Sequence, residues 1–162
     1  MKNVVIFFLS LAILSCTSTK NENEVSLFNN LVFKLKQGEV IQKATLEVKD
    51  RYTNYFNSSS IQVPLFKYIK HKDYEIFIGI PYNTSIEVMI ENQLNRQDSL
   101  IQNSTLQRDS SYFLSTYNIA QSHIIEYAVK SENNSFIYLA AIADSRAINE
   151  SINLSNRIER NE

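Results

Sequence analysis

Residues 123–142 read HIIEYAVKSENNSFIYLAAI, and this stretch carries the clearest information about the fold. Two runs of aliphatic, β-branched and aromatic residues, 123–129 and 136–142, flank the polar segment 132–135. Apolar runs on either side of a short polar turn are typical of an antiparallel hairpin. The sequence therefore predicts two neighbouring antiparallel strands in the last third of the chain.

Other strands are predicted before this hairpin. Residues 74–80, YEIFIGI, are apolar on both alternating faces, which indicates a central strand that ends at Pro81. Apolar residues alternate in 31–35, which predicts a further strand, and residues 112–117 are also predicted to form one. Residues 63–69 predict an edge strand, because Pro64 has no N–H to donate to a ladder.

Two segments before the hairpin have helical patterns. Residues 39–56 carry apolar side chains at helical spacing, although 44–48 within them also fit a strand. The helix accounts for more residues and is preferred. A second helix is predicted after Thr84 or Ser85, whose hydroxyls can cap it.

A last helix is predicted at the C-terminus. Asp144 or Ser145 can cap it, and Ile148, Ile152 and Ile158 then share one face. The predicted fold class is α+β, with a mostly antiparallel β-sheet flanked by helices and a long C-terminal helix. This order of elements over the last 90 residues or so resembles the fold of the photosystem PsbP proteins and the Mog1-type Ran-binding proteins. That resemblance implies a fold and no functional residue.

The N-terminus has the pattern of a signal peptide. Lys2 provides a positive charge, and the apolar run Val4 to Leu14 has 11 residues, too few for a spanning helix. The run ends at Ile13-Leu14-Ser15-Cys16, which contains the only cysteine of the chain. An uncleaved anchor and ordinary secretion with cleavage near Ser18 are the alternatives.

The stretch from Ile13 to Cys16 resembles the lipobox of bacterial lipoproteins. The resemblance implies that the Cys16 thiol receives a diacylglyceryl group and that the leader is cleaved before Cys16. The expected organisation is a signal peptide at 1–15, a polar tether at 16–25 and a single domain at 26–162. Thr17 in place of Asp after the cysteine favours the outer membrane, on its periplasmic or surface face.

Composition narrows the choice of partners. The 162 residues have a net charge of −1, so the chain has no long-range field for nucleic acid, and none is expected as a partner. With one Cys, assigned to lipidation, no intramolecular disulfide is expected. Only 2 Gly occur, so turns that need a positive φ are expected to use Asn, as at Asn29-Asn30 and Asn133-Asn134.

Motifs of catalysis and cofactor binding are missing from the sequence. The two glycines cannot form a phosphate loop, and no HExxH, CxxC or GxSxG motif occurs, so we predict no cofactor, metal site or catalytic residue. His71 and His123 are expected to be structural. Asp109, Ser110 and His123 have the residue types of a triad, but nothing in the sequence orients them.

Several other residue groups have both an ordinary and a functional interpretation. Glu87 and Glu91 can form a carboxylate pair, but acidic residues in a first helical turn also stabilise the helix dipole. The tripeptide Asp98-Ser99-Leu100 resembles the O-glycosylation acceptor of Bacteroidota, which makes Ser99 a candidate modification site. The lysines Lys67, Lys70 and Lys72 are interpreted as charges that protect an edge strand from aggregation. A candidate contact surface is formed by the aromatics Tyr52, Tyr55, Phe56, Phe66 and Tyr68.

The leader and the missing catalytic motifs together favour a membrane-anchored envelope lipoprotein with a non-enzymatic binding or envelope-support domain. Its expected partners are the membrane, through the lipid anchor, and an envelope protein. Two alternatives stay open: an immunity-type lipoprotein that neutralises a toxin, and a small envelope hydrolase.

Overall fold

The structure is a computed structural model that describes residues 23–27, 30–56, 63–81, 84–92, 102–108, 111–119, 121–131, 135–145 and 151–160. These residues form ten strands in two antiparallel sheets, together with two short α-helices and a 3-10 helix. The strands are β1 (Glu24–Ser26), β2 (Leu31–Lys34), β3 (Val40–Gln42), β4 (Leu65–Lys70), β5 (Tyr74–Gly79), β6 (Gln102–Arg108), β7 (Tyr112–Ile119), β8 (Ser122–Lys130), β9 (Phe136–Ala143) and β10 (Ile158–Arg160). The helices are α1 (Leu46–Phe56), α2 (residues 86–92) and the 3-10 helix η1 (Leu154–Arg157).

The large sheet has seven strands in the order β3-β4-β5-β9-β8-β7-β6. The predicted hairpin is confirmed, since β8 and β9 pair antiparallel from His123↔Ala143 to Lys130↔Phe136. A hydrogen bond of 2.7 Å from the Ser131 amide to the Ser135 carbonyl closes its turn. The strand predicted at 74–80 is also confirmed as an interior strand, β5, between β4 and β9.

The small sheet has the order β1-β2-β10 and shows that the predicted long C-terminal helix is wrong. After a helical turn at residues 151–152, Asn153 has a φ of 48°, and η1 leads into β10. In β10, Ile158 pairs with Phe33 of β2. Residues 146–150 lie outside the described residues. The α+β fold class is therefore replaced by a mostly antiparallel β architecture.

The predicted helix at 39–56 is correct only in its second half. Val40 to Gln42 form β3, and the helix begins at Leu46. The alternative strand at 44–48 is not found. β3 pairs with β4, so β4 is not the edge strand that Pro64 indicated; Pro64 precedes it.

Local signals for the second helix and for one turn are confirmed. The Ser85 hydroxyl accepts a hydrogen bond of 3.4 Å from the Val88 amide at the start of α2. This contact satisfies one amide that a helix N-terminus otherwise leaves unpaired. Asn30 has a φ of 58°, as expected for an asparagine that replaces glycine in a tight turn.

The central strands of the large sheet are buried on both faces. On one face, α1 and α2 pack over the sheet through Tyr52, Ile86 and Met89. On the other face lie the small sheet and the C-terminal segment, which contribute Val25, Leu31, Phe33, Ile152 and Leu154. This three-layer arrangement explains why the central strands are apolar on both sides.

A buried ion pair joins the two sheets. Arg157 of η1 and Glu39, which directly precedes β3, form a salt bridge with side chains only 5% and 0% exposed. Arg157 also donates to the Lys34 carbonyl of β2 through Nε (2.9 Å) and Nη2 (2.7 Å). Glu39 accepts from the Tyr74 hydroxyl of β5 at 2.6 Å and from the Lys36 amide at 2.7 Å. Both charges are therefore paired and hydrogen-bonded.

Replacing Gly79 by alanine is expected to destabilise the fold by about 1–3 kcal/mol through overpacking. An ideal Cβ at this position would lie 2.5 Å from Val63 Cγ1 and 2.6 Å from the Tyr52 hydroxyl oxygen. Urea denaturation measures the loss. Thr53→Ala, on the exposed side of α1, is the control and should change stability by less than about 0.5 kcal/mol. Equal stability of the two variants would contradict the tight packing at Gly79.

Glu39→Gln is expected to lower the free energy of unfolding by about 3–5 kcal/mol, because it leaves the Arg157 guanidinium buried without its counter-charge. The matched control is Glu159→Gln. Its carboxylate pairs with Lys34 while both side chains are about half exposed, so its loss should be much smaller. If urea titration gave similar losses of unfolding free energy for the two variants, the buried pair would not be what stabilises the contact between the sheets.

Candidate binding cleft

A polar cleft of about 240 Å³ opens at one end of the large sheet. Strand register brings its walls together. Tyr74 and His123 flank Ala143 on either side, which puts the β4–β5 turn, the start of β8 and the residues after β9 at the same end. The lining residues are Arg51, Lys70, His71, Lys72, Asp73, Tyr74, Glu75, Ser122, Ile142 and Asp144.

Glu75 is the best-held charge of the cleft. Its carboxylate accepts from the Tyr68 hydroxyl at 2.6 Å and lies 2.7 Å from Arg51 Nη2 and 3.7 Å from Lys70 Nζ. The Glu75 side chain is 14% exposed, so these contacts are only partly screened by water. The Arg51–Glu75 pair also connects α1 to β5, and the cleft wall is therefore fixed in place.

The β4–β5 turn forms the second wall and contains His71. The His71 amide donates to the Tyr74 carbonyl at 3.0 Å, and the Asp73 amide donates to His71 Nδ1 at 3.3 Å. The imidazole stacks on the Tyr74 ring at a centroid distance of 4.3 Å. The Asp73 carboxylate also lies 3.7 Å from His71 Nδ1, so contacts within the turn hold the imidazole in place.

Gly38 lets the preceding turn approach His71 closely. It has a φ of +85°, and an ideal Cβ there would lie 3.1 Å from His71 Nε2. A side chain at this position would be strained and would also crowd the imidazole. The β2–β3 turn thus supports the histidine from the side.

Two tyrosines of this region are held as neutral hydrogen-bond donors. Burial, and then the hydrogen bond to Glu75, raises the pKa of Tyr68 above its ordinary value. Burial, and then the hydrogen bond to Glu39, raises the pKa of Tyr74 in the same direction. Tyr74 thereby links the cleft, through the stacked His71, to the buried ion pair between the sheets.

The cleft combines opposite charges. Arg51, Lys70 and Lys72 supply three cations, and Asp73, Glu75 and Asp144 supply three carboxylates. Such a lining matches a polar partner that itself carries both signs of charge, and not a simple anion or cation. Within the described ranges, no group of three or more His, Cys, Asp or Glu residues is placed to hold a metal ion.

Some residues singled out in the sequence lie in the cleft and others do not. His71, Lys70 and Lys72 line it, whereas Lys67 lies in a separate groove. His123 is half-buried at the start of β8. Glu87 and Glu91 are exposed on α2, and the pKa of Glu87 is lowered mainly by a hydrogen bond with the Ser85 side chain, which fits the capping interpretation. Outside the described residues lie Cys16, Ser99, Asp109 and Ser110, together with the side chains of Tyr55 and Phe56.

Sequence reasoning missed Arg51, Asp73, Glu75, Ser122 and Asp144 as residues of one site. One signal was available, since Glu75 interrupts the otherwise apolar strand 74–80 and a carboxylate in such a place needs a partner. The identity of that partner depends on how α1 packs against β5, which no local pattern reveals.

In the part of the chain that the structure describes, no helix has the length and apolar character needed to cross a membrane.

Comparisons with known proteins identify a fold and not a family. No family model matches the sequence, and no curated protein matches it. Among solved structures, the chain is similar to the solution structure of cyanobacterial PsbP (CyanoP) from Synechocystis sp. PCC 6803. The TM-score is 0.51 with 9% sequence identity, and the match covers 92% of this chain and 99% of that chain. The resemblance to the PsbP fold is thus confirmed for the fold alone.

Proposed function

We propose that the protein is a membrane-anchored envelope lipoprotein whose folded domain binds a partner without catalysing a reaction. Support for the anchor comes from the lipobox-like stretch Ile13-Leu14-Ser15-Cys16 at the end of a short apolar leader. The described fold begins with β1 at Glu24, eight residues after Cys16. An acylated Cys16 would therefore hold the domain close to the bilayer.

The cleft carries the binding part of the proposal. Its ionisable side chains are held in place by one another, as Glu75 is by Arg51 and Tyr68. Side chains fixed before a partner arrives lose little conformational entropy when it binds. Lys72 lies 3.9 Å from the Asp73 carboxylate, and its side chain is 81% exposed, so it can reach a partner at the cleft mouth.

The proposed location is the outer membrane, on its periplasmic or surface face, because Thr17 follows the cysteine in place of Asp. A partner in this compartment with both positive and negative groups would match the cleft. An envelope protein segment meets this description.

Cys16→Ala is expected to abolish lipidation, because it removes the thiol that accepts the diacylglyceryl group. Labelling by a clickable fatty acid should be lost, and the protein should leave the membrane fraction. Ser18→Ala, which changes a nearby residue outside the lipobox, is the control and should keep both properties. Unchanged labelling of Cys16→Ala would refute the anchor.

Partner binding is tested by a photo-crosslinking amino acid placed at Lys72 in intact cells, with Asn156 as the exposed control position. A discrete adduct is expected from position 72 only. It should weaken when Arg51→Ala removes the cation beside Glu75 in the same chain. The variant's circular dichroism spectrum must stay unchanged.

Equal adducts from both positions would mean that the cleft has no special role. An adduct that is unaffected by Arg51→Ala would also count against recognition by the cleft.

A further inference from the structure

Large apolar side chains are exposed at and beside the free edge of the seven-stranded sheet. Val40 and Ile41 of β3 are 55% and 44% exposed, Leu46 at the start of α1 is 79% exposed, and Phe66 of β4 is 42% exposed. Removing such side chains from water would be favourable. Of these, Ile41 and Phe66 line one groove with three lysines, and we call Ile41, Phe66, Lys43, Lys49 and Lys67 the edge surface.

The charges of the edge surface have one sign. A groove of about 430 Å³ runs along it, lined by Lys43, Lys49 and Lys67 and, among the described residues, by no carboxylate. Lys67 Nζ lies 5.0 Å from the centroid of the Phe66 ring. The acidic side chains of α1, Glu47 and Asp50, line a different cavity with Arg51 and Asn54. Apolar groups flanked by lysines are the combination that binds anionic lipid surfaces.

The start of the fold lies near this surface. The Asn23 carbonyl accepts a hydrogen bond of 2.7 Å from the Leu35 amide, and β3 begins five residues later at Val40. Chain length alone therefore limits the distance from Leu35 to Val40 to roughly 17 Å. The Lys36 carbonyl also accepts from the Glu39 amide at 3.1 Å, which makes this connection more compact.

The distance to the bilayer is limited in the same way. The eight residues from Cys16 to Glu24 span at most roughly 29 Å even when fully extended. This is less than the width of a domain of this size, roughly 35–40 Å. A tether of this length therefore holds the domain against the bilayer, and β3 lies at the end of the short connection that starts beside Asn23.

We infer that the edge surface rests on the anionic phospholipid surface of the membrane to which Cys16 is anchored. This inference rests on the proposed lipidation of Cys16. The side chains of Ile41 and Phe66 enter the headgroup region, and the lysines lie among the lipid phosphates. Two signals, the acyl anchor and a basic apolar patch, then fix the orientation of the domain.

The test uses the mature lipidated chain, purified and reconstituted into vesicles that carry nitroxide-labelled lipids. Because acylation consumes the only native thiol, Gln42→Cys in β3 supplies a single site for an environment-sensitive fluorophore. Asn54→Cys, on the opposite flank of α1, is the matched control. Intact mass first establishes that Cys16 is acylated.

In phosphatidylglycerol-containing vesicles, the label at position 42 should shift to shorter wavelength and be quenched by the nitroxide, and the label at position 54 should not. Both effects should be lost in pure phosphatidylcholine vesicles and in the Lys43→Glu/Lys49→Glu variant. They should persist in Arg108→Glu/Lys130→Glu, which makes the same change of charge at exposed positions elsewhere.

Acylated protein with equal quenching at positions 42 and 54, or with equal quenching in both kinds of vesicle, would overturn the membrane contact and leave the anchor intact. The label at position 42 could instead shift to shorter wavelength only in whole envelopes and form a crosslink to a protein. That result would assign the edge surface to a protein partner and would also overturn the inference. An unacylated Cys16 would overturn both this inference and the proposed anchor.

Discussion

The buried ion pair between Glu39 and Arg157 constrains how the two sheets fit together, within the apolar core that they share. Removing two charges from water is costly, and the attraction between them offsets this cost only when the remaining polar atoms also find partners. Here the Lys34 carbonyl and the Tyr74 hydroxyl supply those partners. The geometry requires Arg157 to lie beside the end of β2. Residues 158–160 then continue as a strand of the small sheet and not as a helix.

This requirement explains which parts of the fold could be predicted from the sequence. The β8–β9 hairpin could be, because its strands and turn are contiguous and their signals are local. The C-terminal helix was predicted wrongly, although Ile152 and Ile158 are buried or half-buried as expected. The spacing of these residues also fits an irregular segment, and the pairing of Ile158 with Phe33 depends on a residue 125 positions away. Glu39 was misassigned for the same reason, since its partner lies 118 positions away.

The cleft was even less accessible to sequence reasoning. Its walls come from α1, the β4–β5 turn, the start of β8 and the end of β9, and each of them looks ordinary by itself. His71 was expected to be structural, and it lies in the β4–β5 turn. Its stacking on Tyr74, and the support from Gly38 beside it, depend on how the β2–β3 turn folds back against β5. The strand register creates the site, and register is a property of the whole sheet.

The cleft and the edge surface are both built from β4 and α1. Along β4, Lys70 lines the cleft and Lys67 lines the groove of the edge surface; on α1, Arg51 and Lys49 divide in the same way. The cations of the cleft lie among carboxylates, whereas those of the groove have none beside them among the described residues. An anionic bilayer would attract the second set far more strongly than the first. The same two elements thus present one site of mixed charge and one cationic site, and each suits a partner of different charge.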